Sequence, residues 1–224
     1  MRPQAPKSLV YWLPRDVHAV GVEDDLVFLD VGRDAYFCLP GPVGLELAAD
    51  RRTIRVKDRA VALELCNAGL IGVERPPAPR SVASTLRPPT QSLVPLQTEP
   101  PAWAHVPTAT RALVDVLLRY RGKPLAEILR LLEMDRTADP VSSEPLRAVV
   151  ADFHRWIPYA PLSGKCLLRS FVLLRLLRRQ AHDAAWVFGV RTWPFHAHCW
   201  LQCGDVVLDD DVERVAAFTP ILAV

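Results

Sequence analysis

Nine of the 21 prolines fall within residues 76–107, in PPAPRSVASTLRPPTQSLVPLQTEPPAWAHVP, and this constrains the fold more than any other feature. Each proline lacks a backbone N–H and fixes φ, so prolines at this density exclude a helix or a central strand and favour extended polyproline geometry. The segment is expected to be a semi-rigid linker lying on the surface, in preference to a long irregular excursion within one domain. It divides the 224 residues into three parts: 1–75, a linker over 76–107, and 108–224.

Before the linker, VHAVGV, DLVFLDV and AYFCL are short runs rich in β-branched and aromatic residues. The turn clusters Glu23-Asp24-Asp25 and Gly32-Arg33-Asp34 separate them, which predicts an antiparallel three-stranded meander over residues 17–39. After Pro40-Gly41-Pro42, VGLELAAD and VKDRAVALELCNAGL are expected to be helical, the second capped by Asp58 and stopped by Gly69. Leu70–Glu74 is expected to add a short strand. Such a module leaves a strand edge open.

After the linker, Ala109–Tyr120, Leu125–Met134 and Pro145–Trp156 repeat apolar residues at helical spacing. CLLRSFVLLRLLRRQ is apolar around most of its circumference and is expected to be the central helix. AAWVFGVRTW, HAHCWLQ and VVLDDD then supply strands, so helices precede a sheet and the fold class is α+β.

The central helix opens on Ser163-Gly164-Lys165-Cys166. Ser163 is an expected N-cap, which puts Cys166 in the first turn, where free N–H groups, the helix dipole, Lys165 and Arg169 all favour a thiolate. By itself such a cysteine is as readily a small apolar residue in a buried helix. His198 adds a base. Strand alternation places it on one face with Trp200 and Gln202, and Asp209-Asp210-Asp211 follows on the next strand, in reach to orient an imidazole. A two-residue Gly204-Asp205 turn pairs His198 with Asp211, whereas a three-residue Cys203-Gly204-Asp205 loop pairs it with Asp210. Both turns suit this sequence. His196 shares the face of His198 but lacks the same spacing to Trp200; His154 and His182 are expected to be structural or exposed, and Trp186, Trp193 and Trp200 to lie in the core.

A net charge of +2 with 23% charged residues is too small to drive nucleic-acid or membrane binding. The N-terminal MRPQAPKSLVYWLPRD, broken by three prolines, is not expected to act as a signal peptide, and arginines interrupt the most apolar run. Cysteines 38, 66, 166, 199 and 203 follow no disulfide or zinc spacing, so free thiols in a reducing cytoplasm are expected.

Three stretches, CLLRSFVLLRLLRRQAHDA, WVFGVR with PFHAHCWLQCGDVV, and LDDDVERVAAFTPI, resemble the B proteins of lasso-peptide biosynthesis, in a form fusing both functional halves. The resemblance spans about residues 145–224. It implies a transglutaminase-like or papain-like cysteine peptidase whose Cys-His-Asp triad falls on Cys166, His198 and Asp210, and so favours the three-residue loop. Cys199 stands where the family commonly has alanine, and Gln202 where it often has an acidic residue. Residues 1–75 are similar, more weakly, to the family's winged-helix-like recognition module. This implies that a precursor's leader peptide adds a strand beside Ala35–Leu39 and leans on the helix Asp58–Ala68, through Tyr36, Phe37, Cys38, Leu39, Leu63 and Asn67. The basic cluster Arg51, Arg52, Arg55, Lys57 and Arg59 either attracts an acidic leader or is solvated charge at a helix end.

The implied function is leader peptidase: binding of the leader, cleavage from the core by Cys166, and transfer of the core to an asparagine-synthetase-like cyclase that uses ATP. The chain itself carries no GxxxxGK[ST] loop, and no metal or other cofactor is expected in it. Competing readings are a transglutaminase or acyltransferase with the same triad, a non-catalytic peptide carrier, and a winged-helix DNA-binding regulator.

Overall fold

The computed structural model describes residues 9–41, 44–77, 86–94, 107, 110, 111, 114, 116, 118, 120, 122–134, 145–159 and 166–224. Six strands occupy the N-terminal module: β1 (Leu9–Trp12), β2 (Val17–Val22), β3 (Asp25–Asp30), β4 (Ala35–Leu39), β5 (Leu45–Leu47) and β6 (Thr53–Val56). They form two three-stranded sheets, ordered β2-β3-β4 and β1-β6-β5. The first is the expected meander, with Val17 opposite Asp30 and Leu26 opposite Leu39. The second corrects the expectation of three strands followed by helices. VGLELAAD is not helical: Leu45–Leu47 is a strand, and a turn follows in which Asp50 accepts hydrogen bonds from the N–H groups of Arg52 and Thr53 and from the Thr53 hydroxyl. A segment this short cannot repay helix nucleation, whereas an Asp-capped turn into the β-branched run TIRV closes a hairpin.

Helix α1 (Arg59–Asn67) is bounded as the sequence predicts. Asp58 caps it by accepting from the Ala60 N–H at 2.8 Å, and Gly69 (φ +71°) ends it while the Leu70 N–H reaches back to the Leu65 carbonyl at 2.9 Å. Beyond it, the expected strand over Leu70–Glu74 is reduced to one bridge between Gly72 and Trp12.

The C-terminal part carries α2 (Leu125–Met134), α3 (Leu146–Trp156), a 3₁₀ turn (Ile157–Tyr159), α4 (Cys166–Arg179) and the short α5 (Val212–Val215). Its sheet has the order β11-β8-β9-β10-β7, with β7 (Gln91–Ser92), β8 (Ala185–Arg191), β9 (His196–Cys203), β10 (Val206–Val207) and β11 (Thr219–Ala223). The edge strand β7 comes from the proline-rich segment and pairs parallel with β10. Where a linker lying on the surface was expected, residues 86–94 are built into the sheet: the Gln202 side chain donates to the Arg87 carbonyl, and the Ser92 hydroxyl to that of Asp210. An edge position tolerates prolines on either side of a two-residue ladder.

The two parts share a core. In β3 every residue is buried because each face meets a different cluster. Leu26 and Phe28 pack with Tyr11, Ile54 and Leu65 of the N-terminal module. Val27 and Leu29 join Phe153, Phe171, Leu174 and Trp186 of the C-terminal part. The same alternation divides β4, so Phe37 and Leu39 turn inward to the first cluster while Tyr36 and Cys38 pack against the second. Polar contacts reinforce the junction, with the Trp193 indole N–H donating to Asp25 at 2.7 Å and Arg51 to the Pro220 carbonyl at 2.9 Å. Among the described residues no helix is long and apolar enough to cross a membrane.

Candidate active site

Cys166 is the first residue of α4, half-buried against the large core. The expected cap Ser163 and its neighbour Lys165 lie outside the described residues. Across from the helix, β9 carries His198, whose ring lies between Trp200 (centroids 6.1 Å apart) and Phe218 (5.1 Å). Gly189, directly opposite His198 on β8, makes this frame possible: a Cβ there would lie 2.8 Å from the Trp200 ring and 2.9 Å from Phe218 Cβ. The glycine in WVFGVR therefore has a steric reason invisible in the sequence.

His198 Nε2 and Asp210 Oδ2 are 2.6 Å apart. Cys166 and His198 stabilise each other's charged forms. The hydrogen bond from the Cys199 thiol is the largest influence on Cys166; burial opposes it, and His198 and the Cys199 N–H reinforce it, so the thiol is lowered to about 4. Burial lowers His198, but Asp210 and the Cys166 thiolate outweigh it and raise the imidazole to about 9. Although burial pushes the Asp210 carboxyl up, His198, the Asp211 N–H and Arg214 hold it below its ordinary value. These influences favour a thiolate–imidazolium pair, with a carboxylate behind the ring.

The turn before Asp210 corrects the sequence reading. Val206 pairs with Cys203, so the loop is the two-residue Gly204-Asp205 turn, with Gly204 at φ +63°. Continued regularly, that register would bring Asp211 to His198. The ladder stops at Leu208 because side chains take over its bonds. Asp209 Oδ1 accepts the Leu201 N–H at 2.8 Å, and His154 Nε2 donates to the Leu208 carbonyl at 2.9 Å. The chain leaves the sheet there and Asp210, one residue early, meets the imidazole.

The three aspartates thus have separate fates. Asp209 is buried and also accepts from the Ser170 hydroxyl at 2.5 Å, tying α4 to β9; burial, against those hydrogen bonds, raises it to about 6. Asp211 is exposed and begins α5. His154, expected to be structural or exposed, is buried: its Nε2–H serves Leu208, and its Nδ1 accepts from Arg169 at 3.1 Å. Burial keeps it neutral. Nothing local in the sequence signals either role, since both depend on a carbonyl or N–H released by the interrupted ladder. His196 is exposed, with Nδ1 3.3 Å from the Pro194 carbonyl. Trp186 and Trp200 lie in the core as expected, but Trp193 is 71% exposed, on the loop joining β8 to β9.

The residues expected to meet a leader are not equivalent. β4 is an edge of its sheet, so its outer backbone groups have no strand partner among the described residues. Phe37 and Leu39 pack inward on the N-terminal core, Tyr36 and Cys38 on the C-terminal one, while Leu63 (55% exposed) and Asn67 face outward on α1. The basic cluster also separates. Arg52 is buried, donating to the carbonyls of Leu13, Pro14 and Val17, and Arg51 is held at the junction by Pro220. Arg55 pairs loosely with Glu46, and Lys57 and Arg59 are exposed. Among the described residues no cluster of three or more His, Cys, Asp or Glu side chains is placed to hold a metal ion.

Residues 110–223, just over half of the chain, match the family described as the transglutaminase-like superfamily. The chain belongs to the transglutaminase-like superfamily. The matched region contains α2 to α5 and strands β8 to β11, and with them Cys166, His198 and Asp210. A stretch of 45 residues is 44% identical to the microcin J25-processing protein McjB of Escherichia coli, covering 20% of this transglutaminase-like chain and 22% of McjB. The chain thus spans about a fifth of the length of that relative. No solved structure matches it.

Proposed function

We propose that this transglutaminase-like protein is a cysteine peptidase that removes the leader from a ribosomally made lasso-peptide precursor. The observation carrying this reading is the thiolate–imidazolium–carboxylate array of Cys166, His198 and Asp210 within the transglutaminase-like domain. The stretch similar to a microcin-processing protein points to the same substrate class.

The Cys166 thiolate attacks the scissile carbonyl carbon, forming a C–S bond as the carbonyl π pair moves to oxygen. Collapse of this intermediate breaks the C–N bond, and the imidazolium gives its proton to the departing amine of the core peptide. His198, now neutral, takes a proton from water. The hydroxide equivalent opens the thioester, releasing the leader carboxylate and restoring thiolate and imidazolium. Asp210 holds the ring's orientation and stabilises its charge throughout.

The leader would be bound by residues 1–75 acting as a winged-helix-like recognition module. It would pair with the open edge of β4 through the backbone of Tyr36–Leu39 and rest on Leu63 and Asn67 of α1. Binding there raises the local concentration of the cleavage site at Cys166. The freed core amine would then be joined to a side-chain carboxylate by an asparagine-synthetase-like cyclase, which supplies the ATP-dependent step. Five free thiols suit a reducing cytoplasm.

The test is to incubate the full chain with a lasso-peptide precursor carrying its leader and follow the products by mass spectrometry. Separate leader and core are expected, with cleavage abolished in Cys166→Ala and leader binding retained. Unchanged processing by Cys166→Ala sinks the reading, and an amine adduct in place of free leader assigns the array to acyl transfer.

A further inference from the structure

A peptide cleaved at Cys166 must be held on either side of the reacting carbonyl, and the three array residues act only at the carbonyl itself. Burial along β9 shows from where the peptide comes. His196 and Ala197 are exposed, whereas His198 to Gln202 are buried, so the imidazole is reached from the end of the sheet that carries His196. There the strand register sets Arg191 of β8 opposite His196, two residues beyond the Gly189–His198 pair. Strand alternation puts Gly189, Arg191, His196 and His198 on one face.

Arg191 is positioned without being paired. Its guanidinium carbon lies over the Phe218 ring, 5.4 Å from the centroid, and the same ring packs on His198 at 5.1 Å. One aromatic side chain thus touches both groups, and its face fixes the planar guanidinium. The Arg191 Nε is buried without a partner, and the two terminal nitrogens are neither buried nor bonded to a described residue. Other arginines around the array are committed: Arg214 lies 3.8 Å from Asp210, and Arg169 donates to His154 at 3.1 Å. A fixed guanidinium with its terminal N–H groups free presents the fork that a carboxylate accepts end-on.

We propose that Arg191 is a specificity residue of this site, pairing with an acidic side chain of the substrate two or three residues from the bond that Cys166 attacks. The spacing follows from the sheet. Arg191 stands about 7 Å along β8 from the residue opposite His198, and an extended peptide advances about 3.3 Å per residue. The assignment rests on the peptidase reading and narrows its substrate class, to peptides carrying Asp or Glu near the cleavage point. Arg191 takes no part in bond making: it anchors the carboxylate so that the carbonyl lies between Cys166 and His198.

Two alkylating probes test this in the full chain without turnover: 4-(iodoacetamido)butanoate and its primary amide. In both, the Cys166 sulfur displaces iodide from a saturated carbon, and an arm of roughly 7 Å when extended carries either a carboxylate or a neutral amide. Rates at Cys166 are read by peptide mapping. In the wild type the acid is expected to react about threefold to tenfold faster than the amide. Arg191→Gln should remove that preference by slowing the acid alone, and Arg191→Lys should keep part of it. Arg191→Met, which leaves an apolar stem on Phe218, is a second neutral variant, and an unchanged amide rate shows that each variant keeps its site. A preference that survives both neutral variants would overturn the proposal, since the imidazolium would then be the attracting charge. So would no preference in the wild type, or an equal slowing of both probes, which would make Arg191 a support for Phe218 and His198. Failure of the peptidase reading shows separately, as undiminished precursor cleavage by Cys166→Ala, a result that leaves the alkylation rates untouched.

Discussion

Neighbouring groups hold the Cys166 thiol below its ordinary value. The largest influence lowering its thiol is the Cys199 thiol, a residue of the facing strand. Cys199→Ala removes that hydrogen bond and is expected to move the midpoint of Cys166 alkylation upward from about 4. The thiolate is complete above that midpoint and lost below it, so iodoacetamide rates measured against pH report the shift; an unmoved midpoint would leave the helix start and His198 as sufficient causes. In the wild type, kcat/KM should be bell-shaped, falling below about 4 as the thiolate is protonated and above about 9 as His198 loses its proton. Asp209 behaves in the opposite sense to a paired carboxylate. Its folded value of about 6 lies above the unfolded value of about 4, so stability is complete below the lower figure and declines as pH rises through the higher one. Asp209→Asn, which can still accept from Leu201, should flatten that decline in urea midpoints measured from pH 4 to 7.5. A slope as steep as the wild type's would place the titration elsewhere.

At the scale of elements, what decides the site is an interruption. β9 and β10 have the register of a tight two-residue turn, and regular pairing would deliver the wrong aspartate. His154 and Asp209 end the ladder at Leu208 and Leu201 and so turn out Asp210. His154→Ala leaves the Leu208 carbonyl without its donor, at a cost of about 1–3 kcal/mol in chemical denaturation. It should also lower kcat more than it raises KM, since Asp210 loses its fixed approach to His198. A stability loss with kcat intact would make the histidine purely architectural. These facts also mark how far the sequence was legible. The meander, the caps of α1 and the helices Leu125–Met134, Leu146–Trp156 and Cys166–Arg179 could be read from periodicity and cap chemistry. β5 and β6 could not, because a three-residue apolar alternation beside an Asp turn has no helix or strand signature of its own. The turn type was also out of reach, since the choice between Asp210 and Asp211 depends on two side chains that occupy ladder positions, one of them more than 50 residues away in sequence. β7 was obscured by the prolines around it.

For the molecule as a whole, β2-β3-β4 is the party wall of two cores, so the N-terminal module and the transglutaminase-like domain should unfold together. Far-ultraviolet circular dichroism and tryptophan fluorescence should follow one coincident transition in urea; two separated transitions would mean that the shared face contributes little. The same wall has a consequence for engineering. The proposed leader binding by residues 1–75 invites swapping them between relatives as if they were a detachable cassette. Here the outgoing piece would take Val20, Val22, Val27, Leu29 and Val31 with it, side chains of the same core as Phe171 and Trp186. A donor strand with bulkier or smaller residues at those positions would disturb the opposite side of the molecule. Successful chimeras should therefore be those that graft only the outward backbone edge of β4 and the exposed face of α1, leaving the inward alternation of the host intact.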